Sequence, residues 1–94
     1  MIVFCEYVVL SEHRDCYLTW LKARLLVEGS AMQALENTEE PGVFVEIWPA
    51  DGAAHAHTIE KERREGRSWQ EMVGWIKGGE AGLRIWAFRP VSAN

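Results

Sequence analysis

The segment from residue 2 to residue 10 (IVFCEYVVL) constrains the fold more than any other part of the sequence. It is rich in β-branched and aromatic residues, which favour a strand. Both of its alternating sets of side chains are largely apolar, as is typical of a central strand that is covered on both faces. We therefore predict a sheet with this segment at its centre.

A helix is predicted directly after this strand. Ser11 offers a side-chain oxygen at the N-cap position, and acidic residues occupy the first turn after it. Gly29 stands where a helix commonly ends. Between these two residues, an apolar stripe that recurs every four positions predicts one buried face, formed by Tyr17, Leu21 and Leu25.

A second helix is predicted between Asp51, which can cap it, and the Gly78-Gly79 pair, which ends it. Gly66 interrupts this helix, and residues 68–71 (SWQE) form a capping box that restarts it. The run of mixed charges at residues 60–65 is interpreted as a solvated face. After the restart, the predicted buried stripe consists of Trp69, Met72, Val73 and Ile76.

Three further segments complete the predicted secondary structure. Residues 43–48 (VFVEIW) and 83–89 (LRIWAFR) are predicted strands, each followed by a proline. Residues 31–36 suit a helix or a strand, and the turn cluster at 37–42 favours a strand. The order β-α-β-β-α-β is that of the ferredoxin-like α+β fold. Right-handed crossovers place the first and third strands at the centre of an antiparallel sheet with both helices on one face.

Composition favours a single globular domain. The chain has 94 residues, of which 48% are hydrophobic and 26% are charged, so residues 1–94 are interpreted as one domain. The net charge of −4 argues against nucleic acid as a partner. No run reaches the ~20 apolar residues of a membrane span, and residues 2–10 lack the features of a signal peptide. The two cysteines form no C-x-x-C motif, and we expect a cytoplasmic, reduced protein.

The sheet face opposite the helices predicts the oligomeric state. Alternation divides each strand into two sets of side chains, and the smaller aliphatic sets are assigned to the helix side. The other sets, assigned to the open face, are aromatic and charged: Phe4, Glu6, Val8, Phe44, Glu46, Trp48, Arg84, Trp86 and Phe88. Because monomers rarely expose a large apolar patch, we predict a homodimer that packs sheet against sheet.

Residues 43–48, followed by Asp51, the Ala53-Ala54 pair and His57, resemble a segment of a known family. The resemblance is to the antibiotic-biosynthesis-monooxygenase-like branch of the dimeric α+β barrel superfamily, in which a strand ends in Trp and a histidine follows on a helix. The βαββαβ order extends the resemblance over nearly the whole chain. It implies two sheets paired into a barrel whose cavities hold a ligand or substrate. The activities it implies include cofactor-free oxygenation of aromatic compounds, haem degradation and isomerisation, and we expect no cofactor.

Two glutamates are the predicted catalytic groups. Glu6 and Glu46 are expected side by side on the open face, with Arg84 on the neighbouring strand. Removal from water makes a carboxylate a stronger base, so one of them could take a proton from a phenol, quinol or enol while Arg84 holds the anion. Alternatively, Arg84 bridges both glutamates and fixes only strand register or dimer geometry. The predicted ligand-binding residues are Phe4, Phe44, Trp48, His57, Trp86 and Phe88.

The histidines of the second helix do not form a metal-ligand pattern. His55 and His57 are two positions apart, so they point to different sides of a helix, and no third ligand is evident nearby. His57 is either a ligand contact or an exposed helix residue. Three functions remain open: an oxygenase or isomerase for a small aromatic or enolisable compound, a non-catalytic binder of a small hydrophobic molecule, and a structural homodimer whose barrel is filled by its own aromatic residues.

Overall fold

The computed structural model describes residues 1–92 and confirms the ferredoxin-like α+β architecture. Four antiparallel strands form one sheet in the order β2-β3-β1-β4, with the first and third strands at its centre. The strands are β1 (Ile2–Val8), β2 (Gln33–Glu36), β3 (Val43–Pro49) and β4 (Arg84–Phe88). The helices are α1 (Arg14–Glu28), α2 (Ala53–Glu65) and the short α3 (Arg67–Gln70). Within residues 1–92, no helix combines the length and apolar character needed to cross a membrane.

The helix starts differ from the sequence predictions. Ser11 begins a 3-10 turn, and α1 begins at Arg14 without a side-chain cap. Gly66 separates α2 from α3 as predicted, but residues 68–71 lie inside α3 and the 3-10 turn after it rather than forming a cap. At these helix starts, backbone carbonyls rather than side chains accept hydrogen bonds from the free N–H groups. For example, the His13 N–H donates to the Leu10 carbonyl at 2.9 Å.

The strand register corrects one assignment of the sheet faces. Glu6 pairs with Val45 and with Arg84, whereas Glu46 pairs with Cys5. Directly opposed residues project to the same face, so Glu46 lies on the helix side of the sheet and Glu6 on the open side. The expectation that the two glutamates face the same cavity is therefore wrong. The same correction moves the alternate residues of β3 from the open face to the helix side: Phe44, Glu46 and Trp48.

The core lies between the helix side of the sheet and the helices, and aromatic rings fill much of it. Trp69 is buried as predicted, with its ring centroid 5.3 Å from that of Trp48 and 5.4 Å from that of Trp20. Tyr17 lies against Phe44, with centroids 4.6 Å apart. The chain's own side chains thus occupy the space that a ligand would need on this side of the sheet.

Candidate functional site

A buried ion pair lies in the core between β3 and α2. The side chains of Glu46 and Arg63 are 0% and 1% exposed. Arg63 donates from Nε to Oε1 and from Nη2 to Oε2 of Glu46, both at 2.7 Å. The guanidinium carbon lies 4.4 Å from the ring centroid of Trp69. This bidentate geometry offsets the free-energy cost of removing both charges from water.

Two further donors complete the hydrogen bonding of the Glu46 carboxylate. The Tyr7 hydroxyl donates to Oε2 at 2.5 Å, and the Trp48 indole nitrogen donates to Oε1 at 3.0 Å. The Tyr7 hydroxyl also shares a hydrogen bond of 2.7 Å with that of Tyr17. A carboxylate has about four acceptor positions, and Glu46 uses all of them. This geometry leaves no acceptor for a substrate proton and favours a structural role for Glu46.

The same environment perturbs the neighbouring titratable groups. Burial and the negative charge of Glu46 raise the pKa of the Tyr7 hydroxyl well above its usual value. Burial, followed by the charge of Glu46, raises the pKa of the Cys5 thiol to about 12. Burial alone would lower the pKa of Arg63, but its hydrogen bonds to Glu46 and the charge of that carboxylate raise it overall. The cluster therefore holds one fixed ion pair and neutral tyrosine and cysteine side chains.

A second polar pair lies on the open face of the sheet. Arg84 Nη1 is 3.9 Å from Glu6 Oε1, and these side chains are 65% and 37% exposed. An exposed pair at this distance is weak, so both groups retain hydrogen-bonding capacity. Phe4 lies beside them, with its ring stacked on Trp86 at 6.1 Å and edge-on to Phe88 at 6.0 Å between centroids. The open face thus combines an available carboxylate, a cation and an aromatic surface.

Glu6 and Arg84 line a cleft of about 520 Å³. The cleft lies at the end of the sheet where β4 begins, beside the loops that precede β3 and β4. Lys77 is held at its edge because its backbone N–H donates to the Val8 carbonyl at 2.8 Å. The polar side chains that the two loops contribute are Asn37, Glu40 and Lys77.

The predicted site residues fall into three separate places. Those on the open face are Phe4, Glu6, Arg84, Trp86 and Phe88. Those buried under the helices are Phe44, Glu46 and Trp48. His57 lies on the exposed surface of α2, beside Lys61, Glu62 and Glu65. The structure therefore joins Glu6 to Arg84 as predicted and separates both from Glu46. The roles of these residues in catalysis and ligand binding stay predictions.

Sequence reasoning missed two residues. Arg63 belongs to the run 60–65 that the sequence predicts to be a solvated face, yet it is buried. It follows the buried Ala56 by seven residues, two helical turns, so the spacing within α2 could have indicated that both share the inner face. Lys77 belongs to a loop, and no periodic pattern could place it in the cleft that Glu6 lines.

The histidines of α2 are apart from this cleft. His55 Nδ1 accepts a hydrogen bond from the Asp51 backbone N–H at 2.9 Å, which fixes the turn before α2. In the part of the chain that the structure describes, no three His, Cys, Asp or Glu side chains are grouped as a metal site would require.

The chain shares its fold with a protein of known structure. The structure superposes on the solved structure of a "putative antibiotic biosynthesis monooxygenase" from Deinococcus radiodurans with a TM-score of 0.74. The match covers 99% of this chain and 94% of that one, at 15% sequence identity. No family model and no curated protein matches the sequence. At this identity the comparison establishes a shared fold, and that fold is the one that the resemblance of residues 43–57 implied.

Proposed function

We propose that two copies of the chain pair through the open face of the sheet and form a monooxygenase-like enzyme that acts on a small phenolic or enolisable compound. The observation that carries this proposal is the cleft beside Glu6, in which a carboxylate is weakly paired with Arg84 and whose lining also includes Lys77 and Glu40. The shared fold with a protein named as an antibiotic biosynthesis monooxygenase supports the same class of activity.

The apolar surface of the open face supports pairing. Trp86 is 43% exposed, Phe88 is 50% exposed and Leu35 on the edge strand is 43% exposed. Val45 and Ile47 extend this surface across β3. A second copy of the chain would bury this surface, because a two-fold axis brings the same apolar patch of both chains into one interface.

The chemistry begins with removal of one proton. Glu6 takes the proton of the phenol or enol, and Arg84 and Lys77 balance the charge of the resulting anion. The electron-rich anion then reacts with dioxygen. One phenol and one dioxygen give one quinone and one water, so the reaction balances without a reductant or a bound cofactor.

Pairing is tested by the solution mass of the protein at micromolar concentration, measured by light scattering. We expect twice the chain mass. Trp86→Glu places a charge on the open face and should give a monomer, whereas the matched control Leu26→Glu, at an 87% exposed position on α1, should remain a dimer. A wild-type mass of one chain contradicts the proposal.

Catalysis is tested with 1-naphthol as the probe, by native mass spectrometry for binding and by dioxygen uptake for turnover. Glu6→Gln should abolish uptake and leave the dimer and the bound 1-naphthol in place. The control Glu39→Gln, outside the cleft, should behave as wild type. Binding without uptake by the wild type would favour a non-catalytic binder, which the aromatic surface of Phe4, Trp86 and Phe88 would also suit. A dimer that binds nothing would favour a structural role.

A further inference from the structure

We propose that the groove between α1 and the 3-10 turn Glu71–Trp75 binds a small organic cation with an apolar body. This groove has a volume of about 530 Å³ and lies in the helix layer, separate from the open face and its cleft. The proposal is independent of the function proposed for Glu6 and Arg84.

Two indole rings form the apolar part of the groove. Trp20 on α1 and Trp75 on the turn lie with centroids 6.3 Å apart and planes at 80° to each other. Trp20 is anchored because it is only 8% exposed and packs edge-on against Trp69. Indole is the best of the aromatic side chains at attracting a cation.

Trp69, which packs against Trp20, already serves as a cation partner within the protein. Guanidinium carbons of Arg24 and Arg63 lie 4.7 and 4.4 Å from the ring centroid of Trp69. In residues 1–92 no guanidinium group lies over the rings of Trp20 or Trp75. Trp20 is 8% exposed and Trp75 is partly exposed, so Trp75 supplies most of the indole surface that a ligand in the groove can reach.

The charges at the groove are of one sign. Asp15 from α1 and Glu71 from the turn line it, and none of the described lining residues is Lys, Arg or His. Within the described part of the chain, neither carboxylate forms an ion pair with a basic side chain. Two carboxylates beside two indoles complement a positively charged group attached to an apolar body, and they would repel an anion.

The experiment uses benzyltrimethylammonium as the probe and N,N-dimethylbenzamide as its uncharged counterpart of similar size. Binding is followed by titration calorimetry and by the indole N–H resonances of the five tryptophans. We expect the cation to bind more tightly than the amide and to shift the resonances of Trp20 and Trp75. The Trp75 resonance is identified by its absence from the spectrum of Trp75→Phe.

Charge and ring contributions are separated by variants. The double variant Asp15→Asn/Glu71→Gln keeps the shape of the groove and should weaken cation binding by about five- to tenfold. The control Glu12→Gln/Glu39→Gln removes two exposed carboxylates that do not line the groove and should bind as wild type. Trp75→Leu, which removes an indole ring from the groove, should weaken binding of the cation more than the carboxylate double variant does.

Three results would overturn the proposal. The first is the absence of binding by benzyltrimethylammonium. The second is equal affinity for the cation and the amide, which would make the groove a general apolar site. The third is a double variant that binds the cation as tightly as the control variant does. Because all these variants lie outside the open-face cleft, failure here leaves the dimer and dioxygen-uptake results unaffected.

Discussion

Loss of Arg63 should destabilise the protein severely, because it would leave the buried carboxylate of Glu46 without a countercharge. Both side chains are almost inaccessible to water, and the guanidinium donates two hydrogen bonds of 2.7 Å. Each hydrogen bond to a charged group contributes about 1.5–3 kcal/mol, and breaking a buried pair from one side costs roughly 3–5 kcal/mol. Since a domain of this kind is stable by about 5–15 kcal/mol, Arg63→Met removes a large share of the total.

The assay is urea unfolding followed by tryptophan fluorescence and circular dichroism. For an m value of about 2 kcal/mol per molar, the midpoint for Arg63→Met should fall by roughly 2 M. The control Arg67→Met, on an exposed position of α3, should change stability by no more than about 0.5 kcal/mol. Arg63→Lys keeps the charge but loses the bidentate geometry, so its urea midpoint should lie between those of the other two variants. It should also fold if Arg63→Met does not.

The double variant Arg63→Met/Glu46→Gln separates lost attraction from an uncompensated charge. It removes both charges, and the glutamine can still accept a hydrogen bond from Tyr7 or Trp48, so it should recover at least half of the stability lost by Arg63→Met. If Arg63→Met instead loses less than about 1 kcal/mol, or if the double variant is no more stable than the single one, then Glu46 and Arg63 do not form a dry, mutually dependent ion pair.

Two further predictions concern titration. The pKa values of Tyr7 and Tyr17 are both raised, chiefly by burial, and these are the only tyrosines of the chain. The ultraviolet absorbance of tyrosinate should therefore appear only as the protein unfolds in alkali, and ionisation of one tyrosine in folded protein near pH 10 would contradict this. The hydrogen bonds from Arg14 and from the Gly42 backbone N–H lower the pKa of Glu36 from 4.5 to about 2. Because the folded pKa is depressed, this stabilisation is present above pH 4.5 and is lost as the pH falls towards 2. Glu36→Gln should thus lower the midpoint of thermal unfolding at pH 7, and the gap from wild type should close near pH 2; a gap that does not change with pH would count against the pair.

Local sequence signals were enough to predict the order of the main strands and helices and the topology of the sheet, although not where each helix begins. The apolar segment at residues 2–10, the helical stripe through Tyr17 and Leu21, and the glycines at 29 and 66 are local signals, which act within a few residues. Short-range periodicity and right-handed crossovers were enough to predict the sheet order. The pairing of Glu6 with Arg84 also followed, since it depends only on two adjacent strands.

The buried face of β3 is set by contacts between distant parts of the chain. Both alternating sets of this strand are largely apolar, so composition did not fix its orientation, and a change of one residue reverses every side chain. The long-range contact between Glu46 and Arg63, 17 residues apart, resolves the choice, because each charge can enter the core only with the other. The cleft and the groove likewise depend on loops and on helix packing. Local patterns do not encode these features, whereas burial and charge pairing across the fold determine them.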